Sequence, residues 1–269
     1  MNVPYRTFFG LEREPFGAEL ALSEILKTPD ILAVKERFDY TIRLGAVALV
    51  TGEIGSGKST AIRYASGSLH PSEYRILSIT ATSGSILELY RQLLGELGID
   101  TSSPSRSLLT GRIKREIAEL VQTKKMKVVL LIDEASLLRL EVFSELHTIT
   151  QFDYDSKAWL PIILVGQNNL VDKLTYRASL PLASRIVARS HLEGVTKEDM
   201  EKYLRHHLTI AGVKQNLFEE AAIIAIHQGS GGLFRKANHL ARGSLVAAAR
   251  EKSSTITPEH VRLASTEIF

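Results

Sequence analysis

Ala46-Val47-Ala48-Leu49-Val50-Thr51-Gly52-Glu53-Ile54-Gly55-Ser56-Gly57-Lys58-Ser59-Thr60 passes abruptly from apolar sequence to glycines, hydroxyls and a lysine. Ala46–Val50 reads as a short buried strand. Gly52-x-x-x-x-Gly57-Lys58-Ser59 then fits a phosphate-binding loop, whose glycines let backbone N–H groups close around an anion while the lysine and hydroxyl meet phosphate and Mg²⁺. Clusters of Gly, Ser and Thr after a strand also make ordinary loops. The context separates the two readings. Ala61-Ile62-Arg63-Tyr64-Ala65 continues as a helix, so the loop's N–H groups fall at a helix N-terminus, where the dipole favours anions. Gly52, Glu53, Ile54, Gly55, Ser56, Gly57, Lys58, Ser59 and Thr60 are therefore the candidate residues for a nucleoside triphosphate, with Lys58 also serving the reaction and Ser59 facing the metal.

A second motif supplies the acids. Val128-Val129-Leu130-Leu131-Ile132 reads as a buried strand, and Asp133-Glu134 stand at its carboxyl end. In open α/β sheets ligands sit beyond the carboxyl ends of strands, where the phosphate loop also falls. Asp133 is the candidate Mg²⁺ partner, through the ion's water shell, because Mg²⁺ takes few protein ligands and keeps several waters. Glu134 is the candidate for orienting and activating the attacking water, since phosphoryl transfer asks a protein chiefly for positioning and charge stabilisation. Asp-Glu at a surface turn is the competing reading.

The chain has 269 residues, 44% hydrophobic and 23% charged, the mix of an ordinary globular protein. Cysteine is absent, which excludes disulfides, thiolate metal sites and cysteine nucleophiles. No apolar run approaches the roughly 20 residues of a membrane span, and the start lacks the apolar stretch of a secretory signal, so cytoplasm is the expected location. The formal charge is only +3. Arg112, Lys114, Arg115, Lys124, Lys125 and Lys127 nevertheless crowd one segment, which reads as a solvated helix face or as a nucleic-acid footprint.

Strand-like runs at 46–50, 74–79, 127–132 and 160–165 alternate with helical spacing, such as Ile86, Leu87, Tyr90, Leu93 and Leu94, and predict a parallel sheet covered on both faces. After about His191 the pattern is helical. Thr196 reads as a helix cap before Met200, Tyr203, Leu204 and Leu208; further helices are expected over 218–228 and 233–251, and from Thr257-Pro258-Glu259 onward, with Gly229-Ser230-Gly231-Gly232 as the sharpest break. The expected division is an N-terminal segment (1–30) packing on the nucleotide-binding core, an α/β domain (31–193) and a small helical domain (194–269). Phe8, Phe9, Leu11 and Phe16 read as core packing or as walls of a base pocket, the former being favoured.

The order of phosphate loop, Asp133-Glu134, a strand ending in Gly166-Gln167-Asn168, Ala183-Ser184-Arg185-Ile186, and a helical tail carrying Gly231-Gly232-Leu233-Phe234-Arg235 resembles the AAA+ ATPases. Phe8-Phe9-Gly10-Leu11-Glu12-Arg13-Glu14-Pro15-Phe16, with Leu164-Val165-Gly166-Gln167, resembles the ATPase domain of the general secretion pathway A proteins within them. The resemblance implies a P-loop α/β domain followed by an all-α lid, and ATP hydrolysis with Mg²⁺. It implies that Gln167, or Asn168, is a sensor for the γ-phosphate, that Arg235 is the lid arginine that also binds nucleotide, and that Arg185, with Arg177 and Arg189 as rivals, is a finger acting on a neighbouring subunit of a homo-oligomer.

The secretion proteins that it resembles usually continue past the ATPase domain into a membrane segment, and none is expected of this chain itself. Stand-alone ATPases of similar motif order are transposition helpers of the Mu B, TnsC and TniB kind, which assemble on double-stranded DNA and direct a transposase. That role is the favoured expectation. A secretion-pathway ATPase and a nucleotide switch without DNA remain as alternatives. The resemblance places the DNA-facing surface on loops such as Thr80-Ala81-Thr82-Ser83-Gly84-Ser85, with charge supplied by Arg112, Lys114 or Lys124.

Overall fold

The computed structural model describes residues 5–266. Helix α1 (Tyr5–Phe9) opens them, and two compact units divide them.

The sheet unit comprises residues 29–52 and 58–192. Helix α2 (Pro29–Leu44) precedes five strands, β1 (Val47–Gly52), β2 (Tyr74–Thr80), β3 (Lys127–Asp133), β4 (Ile162–Gly166) and β5 (Ile186–Leu192), and between them run α3 (Lys58–Ser66), α4 (Ile86–Glu96), α5 (Arg106–Gln122), α6 (Leu140–Thr150), α7 (Asn169–Thr175) and α8 (Leu180–Ala183). The strand order is β2-β3-β4-β1-β5, parallel throughout. Every residue of β1 and β4 is buried, as is Val128–Ile132 of β3, because helices cover both faces of a parallel sheet. Ile86, Leu89, Tyr90, Leu93 and Leu94 form the buried stripe of α4 at helical spacing, and Leu109, Ile113 and Ile117 that of α5.

Strand β5 corrects the sequence reading, which stopped at four strands. Ala188, Ser190 and Leu192 are buried while Val187, Arg189 and His191 face outward. An edge strand covered by α2 on one side keeps only this alternation, and Arg189, Ser190 and His191 dilute its apolar signal.

The helical unit contains residues 5–28, 53–57 and 193–266. Its later helices are α9 (Lys197–Ile210), α10 (Glu220–Ser230), α11 (Phe234–Arg250) and α12 (Pro258–Thr266). The Thr196 hydroxyl accepts the Asp199 N–H at 3.2 Å and caps α9. Helix α10 ends at Gly231, whose φ of 61° is the left-handed conformation of a helix C-terminus. Glycine follows at 232 for a second reason: a Cβ there would lie 2.5 Å from the Val195 carbonyl.

The N-terminal segment packs within the helical unit. Phe9, Leu11 and Phe16 are buried among Met200, Leu204, Leu208, Ile226 and Leu240 of the helical unit. Polar bonds fix the arrangement: the Glu12 N–H donates to Ala211 O at 2.9 Å, Arg13 Nε to Ile210 O at 2.8 Å, and Arg242 Nη2 to Phe16 O at 2.9 Å. The segment adds aromatic bulk to that core, where the Phe16 ring meets Phe218 of the bundle edge-on with centroids 6.2 Å apart. Residues 1–4 and 267–269, which fall within the expected terminal domains, lie outside the described residues. Among the described residues no helix is long and apolar enough to cross a membrane.

Candidate nucleotide-binding site

Strand β4 lies between β1 and β3. The phosphate loop leaves β1, Asp133-Glu134 leave β3, and Gly166-Gln167 leave the strand between them. All three therefore emerge at one edge of the sheet, beyond the carboxyl ends where ligands bind in this architecture.

Gly55 and Gly57 have φ of 86° and 96°, open to glycine at little cost, so a side chain at either would strain the loop. A Cβ at Gly55 would also meet the Arg235 Cβ at 2.7 Å. Lys58 is the first residue of α3 and only 9% exposed, and its Nζ donates to Gly52 O at 2.9 Å across the loop. The Ser56 hydroxyl is buried with no hydrogen-bond partner, an unspent donor inside a loop built for anions. Glu53 and Ile54 are exposed at the loop tip, which groups with the helical unit; there the Arg235 N–H donates to Gly55 O at 3.3 Å. Thr60 is half-buried on α3.

Ser59 Oγ stands 3.5 Å from Asp133 Oδ2, long for a hydrogen bond, while Asp133 Oδ1 accepts the Glu134 N–H at 2.9 Å. One hydroxyl and one carboxylate are hard oxygen donors few enough to leave Mg²⁺ most of its waters. The residues fit the ion, and Ser59 and Asp133 are the ones that would hold it. Glu134 is half-buried and left-handed, with φ 52° and ψ 32°, a costly conformation for a residue with a Cβ. A 3-10 turn, Ala135–Leu137, follows immediately. Gln167 is half-buried and Asn168 exposed.

Arg185 belongs elsewhere in the sheet unit. It precedes β5, whose Ile186 pairs with Val47 at the start of β1, whereas the phosphate loop follows the end of β1. The strand's length, roughly 20 Å for six residues, separates the guanidinium's backbone from the loop of its own chain. Its Nη2 lies 2.5 Å from both oxygens of Asp155, and this arginine holds the Asp155 carboxyl below the usual carboxylate range. Arg177, between α7 and α8, and Arg189, opposite Leu49 in β5, are exposed.

The basic segment is not one surface. Lys114 Nζ donates to Gln151 O at 2.9 Å and lies 5.8 Å from the centre of the Phe152 ring; burial pushes its pKa down. This is a packing lysine, which corrects its selection as a source of charge for DNA. Lys127 donates to the Tyr74 hydroxyl at 3.3 Å, and Lys124 faces Glu119 at 4.0 Å. Arg112, Arg115 and Lys125 are exposed. Lys124–Lys127 sit at the amino end of β3, while Thr80–Ser85 begins at the carboxyl end of its partner β2. The fold instead brings Arg139 to that loop, its Nε donating to Ser83 O at 2.9 Å. No local pattern marks Arg139; only the pairing of β2 with β3, which puts the chain beyond Asp133 beside Thr80, could have pointed to it.

Residues 42–174 match the AAA domain family. The chain is 31% identical over 274 residues to general secretion pathway protein A of Aeromonas hydrophila, an alignment covering 98% of this chain and 48% of that protein. The chain thus spans about half the length of that relative. Among solved structures it resembles Cdc6p of Pyrobaculum aerophilum, with a TM-score of 0.73 at 16% identity over 94% of this chain and 70% of that one. The ORC1 protein of Aeropyrum pernix in complex with DNA gives 0.66 at 16% identity, over 92% and 67%. At such identities the structural likeness is one of fold.

Proposed function

We propose that the chain is an AAA+ ATPase, as its match to the AAA domain family and its 31% identity to general secretion pathway protein A support, that it binds ATP with Mg²⁺ at the phosphate loop, hydrolyses it to ADP and phosphate, and in its ATP-bound state assembles as a homo-oligomer on double-stranded DNA as the helper of a transposase. The observation that carries the hydrolytic part is the approach of Ser59 to Asp133 beside Lys58 and Glu134. Bound Mg²⁺ supplies charge neutralisation on the phosphate oxygens. Lys58 exchanges its bond to Gly52 O for the β- and γ-phosphates, and the loop's N–H groups hold the remaining oxygens. Glu134 accepts a proton from the attacking water, and Gln167 orients the γ-phosphate. Arg235 reports the nucleotide to the helical unit.

Arg185 lies too far along the sheet to serve its own chain, which favours a finger role on a second copy once Asp155 releases it. Arg139 beside Ser83, with the hydroxyls of Thr82 and Ser83, supports a phosphate-contacting surface. The 31% identity to general secretion pathway protein A favours a second reading, an assembly ATPase of a secretion pathway.

Fluorescence anisotropy with unrelated duplexes and a non-hydrolysable ATP analogue separates the two. The DNA reading expects ATP-dependent binding, equal for all sequences, that weakens steeply with salt; Arg139→Ala lowers the slope of log affinity against log salt by about one. Absence of ATP-dependent binding at low salt would leave the secretion reading.

A further inference from the structure

The chain beyond Asp133-Glu134 is held in place by a lysine from another element. Lys173 lies on α7, the helix that begins just after Gln167, and its Nζ donates to Ser136 O at 2.6 Å and to Leu138 O at 2.8 Å. Those carbonyls belong to the turn that follows Glu134. Two of the turn's own amides close it upon itself, the Leu137 N–H donating to Glu134 O at 2.8 Å and the Leu138 N–H to Ala135 O at 3.2 Å. Ala135, Ser136 and Leu138 are buried, so carbonyls left without a donor there would be costly. On its other side the turn meets β4: a Cβ at Gly166 would lie 2.9 Å from Ser136 N. The turn is therefore fixed between the end of β4 and the Lys173 ammonium, and Glu134, at its start, is in a left-handed conformation that persists only where its surroundings over-determine it.

We infer that Lys173 is a positioning residue for Glu134, acting through the Ala135–Leu138 backbone. The inference rests on the reading of Glu134 as the acid that activates water. Among the described residues, the hydrogen bonds of Lys173 go to this turn and to no residue of the phosphate loop, so its loss displaces the acid while leaving nucleotide binding intact. A displacement of about 1 Å is enough to cost a reaction about 100-fold.

The test measures steady-state ATP turnover and the affinity for a fluorescent ATP analogue in the wild type, Glu134→Gln, Lys173→Met, Lys173→Arg and the double variant Glu134→Gln/Lys173→Met. Lys173→Met should lower kcat by about 10- to 100-fold, with KM and nucleotide affinity within about threefold of wild type. Lys173→Arg, which keeps charged donors, should recover most of the rate. In the Glu134→Gln background Lys173→Met should add no further loss, because residues that act as a unit are not additive. Wild-type kcat in Lys173→Met, an equal loss of nucleotide affinity, or the same fractional loss in both backgrounds would each overturn the inference. If thermal melts show Lys173→Met unfolded, Lys173→Gln, whose shorter, neutral amide keeps two N–H donors but no charge, replaces it: an intermediate kcat supports the inference and an unchanged one overturns it. Wild-type turnover and its loss in Glu134→Gln stand as the separate check on the hydrolytic reading, so failure of that reading and failure of the Lys173 role give different results.

Discussion

The sheet unit and the helical unit close their cores over very different sequence distances. In the sheet unit each strand is a local apolar run, and each chemical group stands directly after one: the phosphate loop after β1, Asp133-Glu134 after β3 and Gln167 after β4. The helical unit is completed by chain from the far end of the sequence. Arg13 bonds Ile210 across 197 residues, and the Phe16 ring stacks on His207 with centroids 5.3 Å apart. Local patterning therefore announces the first unit and its site, whereas the second is decided by contacts that no local window contains.

The sharpest way to break this comparison is to remove the non-local piece. Phe16 is 2% exposed in the core of the helical unit, and Phe16→Ala should cost about 3–5 kcal/mol of stability. If the N-terminal segment belongs to that unit, hydrogen exchange should quicken in α9, α10 and α11 while the amides of β1 and β3 keep their protection. Equal loss of protection in β3 would show that the two units unfold as one.

A smaller effect sharpens the same comparison by pH. Burial, with the nearby charges of His206 and Arg13 adding to it, pushes the His207 pKa down to about 4. The unfolded imidazole takes up a proton below about pH 6.5, while the folded one stays neutral until about pH 4, so the unfolded state binds more protons in that window. Stability should therefore fall as pH drops from 6.5 to 4, by about 3 kcal/mol from this group. Urea melts of the wild type and His207→Leu at pH 7 and pH 4.5 check it. The variant should lose most of the difference between the two pH values, and an unchanged difference would remove His207 from the explanation.

The parts of the molecule that were legible share a physical property. A buried parallel strand must be nearly continuous in apolar residues, and a phosphate loop needs glycines, a lysine and a hydroxyl at fixed spacing, so both leave local marks. Strand β5 left a faint one, since Arg189, Ser190 and His191 break the run. Arg139 and Lys173 left none, because each acts on backbone carbonyls brought close only by the fold, at Ser83 in one case and at Ser136 and Leu138 in the other. Lys114 was misread for the converse reason: a lysine in a basic run looks solvated, yet its amine is spent on Gln151 O and its stem on packing.

Paired measurement of ATP retention and ATP turnover tests most directly whether Lys58 and Glu134 divide binding from hydrolysis. With radiolabelled ATP and Mg²⁺, Glu134→Gln should retain bound ATP while turnover falls by about 100-fold or more, and Lys58→Ala should lose both. A Glu134→Gln protein that hydrolyses ATP at the wild-type rate would contradict the role given to the acid and, with it, the hydrolytic site.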